Sequence, residues 1–118
     1  KIRLAGIDAP EKRQPFGERS KQHLSDLVFG KDIEADCVKV DRNKREVCKV
    51  IISGVDANLA QIRAGMAWWY RAYAKDQSKS DQHLYSAAER EARDIQRGVW
   101  REAGAIAPWD WRRDQNRR

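Results

Sequence analysis

Apolar and polar positions along this chain change their spacing every ten to twenty residues, and each change marks a separate element. Ile2 to Ile7 reads as a strand, with Gly6 as a bulge or close backbone approach and Pro10 as its stop. Phe16 to Phe29 places Ser20, Leu24, Leu27 and Val28 on one helical face and ends at Gly30. Two strands follow, Ile33–Val40 and Arg45–Ile52, joined by the polar tip Asp41-Arg42-Asn43-Lys44. Asn58 suits the N-cap of a short helix that turns Leu59 and Ile62 inward and closes at Gly65. Met66 to Tyr70 is apolar and aromatic, which predicts a short extended piece packed on the body. A polar, flexible connection over Lys75–Ser80 leads to Asp81, the expected cap of a long helix striped by Leu84, Ala88, Ala92, Ile95 and Val99. Pro108-Trp109-Asp110-Trp111 reads as a docked aromatic clip.

The order strand, helix, hairpin, helix, helix is that of an α+β protein with about three helices. No repeat or dividing linker interrupts it, so the expectation is one domain over residues 1–111 and a disordered basic tail over 112–118. Three strands make a poor independent sheet beside this much helix. The edge at Lys1 therefore calls for further strands or for cover by another chain.

In the hairpin, a four-residue tip sets Val40 opposite Arg45 and Cys37 opposite Cys48. Ile33, Ala35 and Cys37 then share a core face with Cys48, Val50 and Ile52. The two cysteines are either bridged, which implies an oxidising compartment, or free buried thiols acting as small apolar residues. His23 and His83 lie far from them and from each other, on helices, with no spacing for a zinc cluster.

Composition adds little to this picture: 118 residues, 41% hydrophobic and 36% charged, suit one soluble, heavily charged domain. No apolar run approaches the length of a membrane span and no signal peptide is present. The chain opens on Lys1 rather than methionine, as a processed or trimmed chain does, so an export signal could have been removed. The formal charge of +6 favours an acidic partner such as nucleic acid, although the segment beyond Trp111, with four arginines and one aspartate, supplies half the excess.

Four charged residues carry the chemistry. Arg3, Asp8 and Glu11 lie within one short segment, and Arg45 follows the hairpin tip. Phosphodiester hydrolysis needs cations on the phosphoryl oxygens, which arginine supplies through its planar fork. It also needs a group to orient or deprotonate water, which an unligated carboxylate provides. A hard cation held by carboxylate and carbonyl oxygens adds Lewis-acid assistance. Taken singly, each residue has an ordinary structural or solvent-facing role, and only their combination points to a site. Simple pleating would aim Arg3 and Asp8 at opposite faces, so a bulge at Gly6 or a bend at the strand end is required.

At these residues the chain resembles the staphylococcal nuclease (thermonuclease) family. The resemblance runs through Ile2-Arg3-Leu4-Ala5-Gly6-Ile7-Asp8-Ala9-Pro10-Glu11, the Asp41–Arg45 tip, Asn58–Ala67, Ala88–Ala92 and Gly98-Val99-Trp100, in order from Arg3 to about Trp111. It implies an OB-type β-barrel with helices, in a calcium-dependent endonuclease acting on DNA and RNA without strong sequence specificity. By that resemblance Arg3 and Arg45 bind the scissile phosphate, Glu11 positions or activates water, Asp8 is a calcium ligand, and Ala9 offers its backbone carbonyl. Asp41 braces the loop, and Tyr73 falls where the family places an aromatic residue near the nucleotide. The family's first two strands, with a further calcium carboxylate, have no counterpart here, so the chain reads as an N-terminally incomplete member of weak or no activity. Pairing with another copy is the alternative way to complete the sheet. The tip reads Asp41-Arg42-Asn43-Lys44-Arg45 where the family usually has Asp-x-Tyr-Gly-Arg. The Tyr that would hydrogen-bond the phosphate is lost, and Lys44 replaces a glycine while offering its own charge to the substrate. The leading expectation is an exported nuclease, periplasmic or secreted. The alternative is a non-catalytic nucleic-acid-binding module on the same fold, and a third reading has these residues stabilising the loop alone.

Overall fold

The computed structural model of the chain describes residues 1–116. Its sheet is built on a hairpin of β3 (Glu34–Val40) and β4 (Glu46–Ile52), with β1 (Ile2–Leu4) parallel to the other edge of β4. The short β5 (Val55–Asp56) turns back antiparallel to the end of β4. β2 (Ile7–Asp8) leaves this sheet altogether and pairs antiparallel with β6 (Trp68–Trp69).

The single strand expected over Ile2–Ile7 is thus two, hinged at Gly6, whose φ of +76° is accessible without a Cβ penalty. Each side of the hinge is held by a different ladder: Ala5 N donates to Cys48 O at 2.8 Å, and Gly6 O accepts from Tyr70 N at 2.9 Å. Among the described residues the strands form an open four-stranded sheet and a separate two-stranded ladder, with no barrel closed between them.

The hairpin keeps Cys37 opposite Cys48 and Ala35 opposite Val50, and the two cysteine sulfurs are joined in a disulfide. Nearer the tip a bulge at Val38 shifts the register, so Val40 faces Glu46 rather than Arg45. The cause is local: Asp41 N donates to Arg45 O at 2.8 Å, which draws Arg45 into the turn. The expected core face is present on β4 alone. Val47, Cys48, Val50 and Ile52 are buried, whereas β3 is exposed along its whole length because its one ladder partner among the described residues is β4.

Helix α1 (Gly17–Val28) lays Leu27 and Val28 against Val50, Ile52 and Ala57. Helix α2 (Ala57–Arg63) is capped by Asp56, whose Oδ1 accepts from Leu59 N at 3.0 Å, and not by Asn58. Asn58 is fully buried instead, accepting from Val50 N and donating to the carbonyls of Ala5 and Cys48. A side chain that satisfies three backbone groups fixes the hinge to β4 from beneath.

Helix α3 (Lys79–Asp94) begins earlier than its acidic residue suggested, with Ser78 Oγ accepting from Asp81 N. Tyr85, Ala88 and Ala92 face inward, and Leu84 and Ile95, expected on the same stripe, are half exposed. A 3₁₀ turn over Arg71–Asp76 occupies the start of the connection expected to be flexible, and a second covers Gly98–Arg101. Tyr85, Ile7, Leu59, Ile62, Ala67 and Ala88 form the main core cluster. The aromatic clip is the first turn of a fourth helix, α4 (Pro108–Asn116), so residues 112–116 are helical rather than a disordered tail, and residues 117–118 lie outside the described ones. None of the helices over the described residues is long and apolar enough to cross a membrane.

Candidate active site

The Gly6 hinge, the hairpin tip and α4 converge on a cleft of about 530 Å³ lined by Arg3, Leu4, Ile7, Asp8, Ala9, Glu11, Asn43, Arg45, Tyr70, Tyr73 and Arg112. β1 and β2 therefore present Arg3 and Asp8 to the same space, as the bend required. Of the seven residues expected at a catalytic, metal or substrate position, Arg3, Asp8, Ala9, Glu11, Arg45 and Tyr73 line it. Lys44 does not. It is exposed at the apex of the tip with φ +61°, and Asn43 takes its place in the lining.

One carboxylate organises the cationic wall. Asp41 Oδ1 accepts from the backbone N–H groups of Asn43 and Arg45 at 2.9 and 3.0 Å, closing the tip as an Asx-type turn. Its Oδ2 lies 3.0 Å from Arg45 Nη2 and 3.4 Å from Arg3 Nε, so it gathers both guanidinium groups. The Arg45 N–H above all, with that of Asn43, holds the Asp41 carboxyl below the usual carboxylate range. Arg3 is steadied further by Asp76 at 3.8 Å and by the Tyr73 ring, whose centroid lies 5.0 Å from its guanidinium carbon. Lys39 reaches Asp76 at 3.1 Å from β3.

Across the cleft, Asp8 and Glu11 converge on the guanidinium of Arg112. Nη2 and Nη1 of Arg112 donate to Asp8 Oδ2 and Oδ1 at 2.7 and 3.1 Å, and Nη1 also donates to Glu11 Oε2 at 2.7 Å. Asp8 is largely buried, and burial pushes its carboxyl up against the opposing pull of Arg112. The Arg112 guanidinium is held charged chiefly by its bonds to Asp8. Burial likewise raises the Tyr70 phenol beside them. Asp8 and Glu11 thus form a point of hard oxygen donors already occupied by a cation of the protein, and the donor chemistry fits calcium or magnesium in kind. The one cluster of three ligand-type side chains among the described residues, Cys37, Glu46 and Cys48, has its thiols bonded to each other.

Sequence reasoning missed Arg112, Asn43 and Asp76. Arg112 was hidden in a run of basic residues, and nothing local in the sequence marks it out.

Residues 1–102 match the family described as staphylococcal nuclease homologue. The chain belongs to that family. Its relatives include an uncharacterized endonuclease of Haemophilus influenzae, 38% identical over 98% of this chain and 61% of that protein. A micrococcal nuclease of Shigella flexneri is 39% identical over 96% of this chain and 68% of its own length. An uncharacterized endonuclease of Escherichia coli O157:H7 is 36% identical over 95% of this chain and 70% of its own length. The chain therefore spans about three-fifths to seven-tenths of these relatives. The family match stops short of α4, which brings Arg112 into the cleft from outside the matched segment.

Proposed function

We propose that this chain carries the active site of a calcium-dependent endonuclease that hydrolyses phosphodiester bonds of DNA and RNA without strong sequence specificity. The observation that carries the reading is one cleft with two braced guanidinium groups on one wall and two carboxylates on the other. Arg3 and Arg45 would grip the phosphoryl oxygens and stabilise the charge that grows on them, with Asp41 keeping both forks in place before substrate arrives. Glu11, the more exposed of the two carboxylates, would orient the attacking water and accept its proton. Asp8 and the Ala9 carbonyl would hold calcium, which supplies Lewis-acid polarisation of the phosphate. Tyr73 would border the nucleotide, and Lys44 would contribute charge from the rim.

The exposed length of β3 supports a further part of the reading, an OB-type barrel in the whole protein closed by strands from the same chain or another copy. The Cys37–Cys48 bond supports an exported, periplasmic or secreted setting.

A non-catalytic binding module on this fold is the second reading, and Glu11 separates the two: a negative group beside a phosphate opposes binding, whereas hydrolysis needs a carboxylate to orient water. Cleavage of a plasmid and of a structured RNA is measured with calcium and with chelator, for the parent and Glu11→Gln. Cleavage that requires calcium and falls at least about 100-fold in the variant supports the enzyme. Equal rates in parent and variant sink the role of Glu11, and gel retardation without cutting favours the binding module.

A further inference from the structure

Arg112 sits against the carboxylate to which the nuclease reading assigns calcium. Both oxygens of Asp8 and one of Glu11 accept from its guanidinium, and it arrives at the start of α4's second turn rather than from the hinge or the tip. The helix is fastened to the cleft by aromatic contact: the Trp109 ring stacks on Tyr70 with centroids 5.2 Å apart and planes 7° from parallel. Just before it, the Ile106 carbonyl accepts from the buried Gln14 side chain, which also holds Glu11 N through its Oε1 at 3.0 Å. Docking of α4 and the position of Glu11 are therefore linked through one residue.

We propose that Arg112 is the built-in competitor for the cation site at Asp8, so that divalent-cation binding and docking of α4 oppose one another. The inference rests on the nuclease reading for the identity of the site, and its physical basis is independent of catalysis. A dication seated on Asp8 must displace hydrogen bonds to both carboxylate oxygens. It must also lie a few ångström from a positive guanidinium, a repulsion that a half-buried cleft screens only in part. By linkage, whatever factor Arg112 takes from cation affinity, the cation takes from α4 docking. α4 then sets how much calcium the site requires, and it does so from beyond the segment that matches the family.

The test titrates calcium alone into the whole chain by calorimetry, comparing the parent with Arg112→Gln and Trp109→Ala, with thermal melts to establish that each is folded. Hydrogen exchange of residues 109–116 is followed with and without calcium. Arg112→Gln is expected to bind calcium at least about tenfold more tightly. Trp109→Ala, which loosens the helix without altering a charge, is expected to shift in the same direction, and saturating calcium to speed exchange in α4 of the parent. Trp109→Ala carries the test if Arg112→Gln loses its fold. Equal or weaker binding by the variants, unchanged exchange in α4, or no calcium binding by any of the proteins overturns the proposal. Tighter binding without cleavage by any form leaves the proposal standing and removes the nuclease reading. Glu11-dependent cleavage with equal affinities does the reverse.

Discussion

Replacing Gly6 with alanine tests the hinge that brings Arg3 and Asp8 to one cleft. Two costs are separable. An alanine held at φ +76° carries the left-handed penalty of roughly 1–2 kcal/mol. Its Cβ would also fall 2.3 to 2.8 Å from the Gln77 side-chain amide, which must swing away. That movement breaks the bond from Trp69 Nε1 to Gln77 Oε1, now 3.0 Å long and partly buried, at a cost of about 0.5–1.5 kcal/mol. The expected total is about 2–3 kcal/mol, or a urea midpoint lower by about 1–1.5 M at an m-value near 2 kcal/mol/M. In a Gln77→Ala background the second cost is already spent, so Gly6→Ala should cost only its backbone share there. The double-mutant cycle should then show a coupling of about 0.5–1.5 kcal/mol. Cleavage by Gly6→Ala, assayed well below its unfolding midpoint, should fall as well, because Asp8 and Glu11 lose their registration with Arg3. A cost below about 0.5 kcal/mol that is additive with Gln77→Ala would refute both the strained conformation and the contact.

Two further predictions address the hairpin. Asp41 has a depressed carboxyl in the folded chain, so its stabilisation is present above the unfolded value of about 3.9 and is lost as pH falls through the folded one. The gap in melting temperature between the parent and Asp41→Asn should therefore be wide at pH 5 and close toward pH 3, and a constant gap counts against the brace. Reducing the Cys37–Cys48 bond, which closes a loop with a sequence separation of 11, should cost about 2–3 kcal/mol in urea unfolding. An unchanged midpoint after reduction would show that the hairpin needs no such link.

The elements and several members of the site are legible in the sequence for local reasons. Apolar spacing gives α1, the hairpin and α3 close to their observed limits, because periodicity depends on neighbours a few residues away. Arg3, Asp8, Glu11 and Arg45 stand out because the reaction requires those residue types. The errors share a different cause. Asn58 and Asp81 both suit a cap by composition, but Asn58 serves three distant backbone groups and Asp81 pairs with Lys49 at 2.9 Å. Propensity cannot choose among several good hydrogen-bond partners when the best one comes from another element. Tyr85, absent from the expected stripe of α3, is buried, and its hydroxyl donates to Asp56 at 2.6 Å.

The sequence by itself determined the α+β order, the placing of Cys37 opposite Cys48, and the need for a bend between Arg3 and Asp8, since each follows from spacing within about a dozen residues. Only the tertiary structure decided that Asp41 holds Arg3 as well as Arg45, and that Arg112 closes on Asp8 and Glu11 from more than a hundred residues away. Ion pairs obey distance in space, and folding alone sets that distance for charges so far apart along the chain.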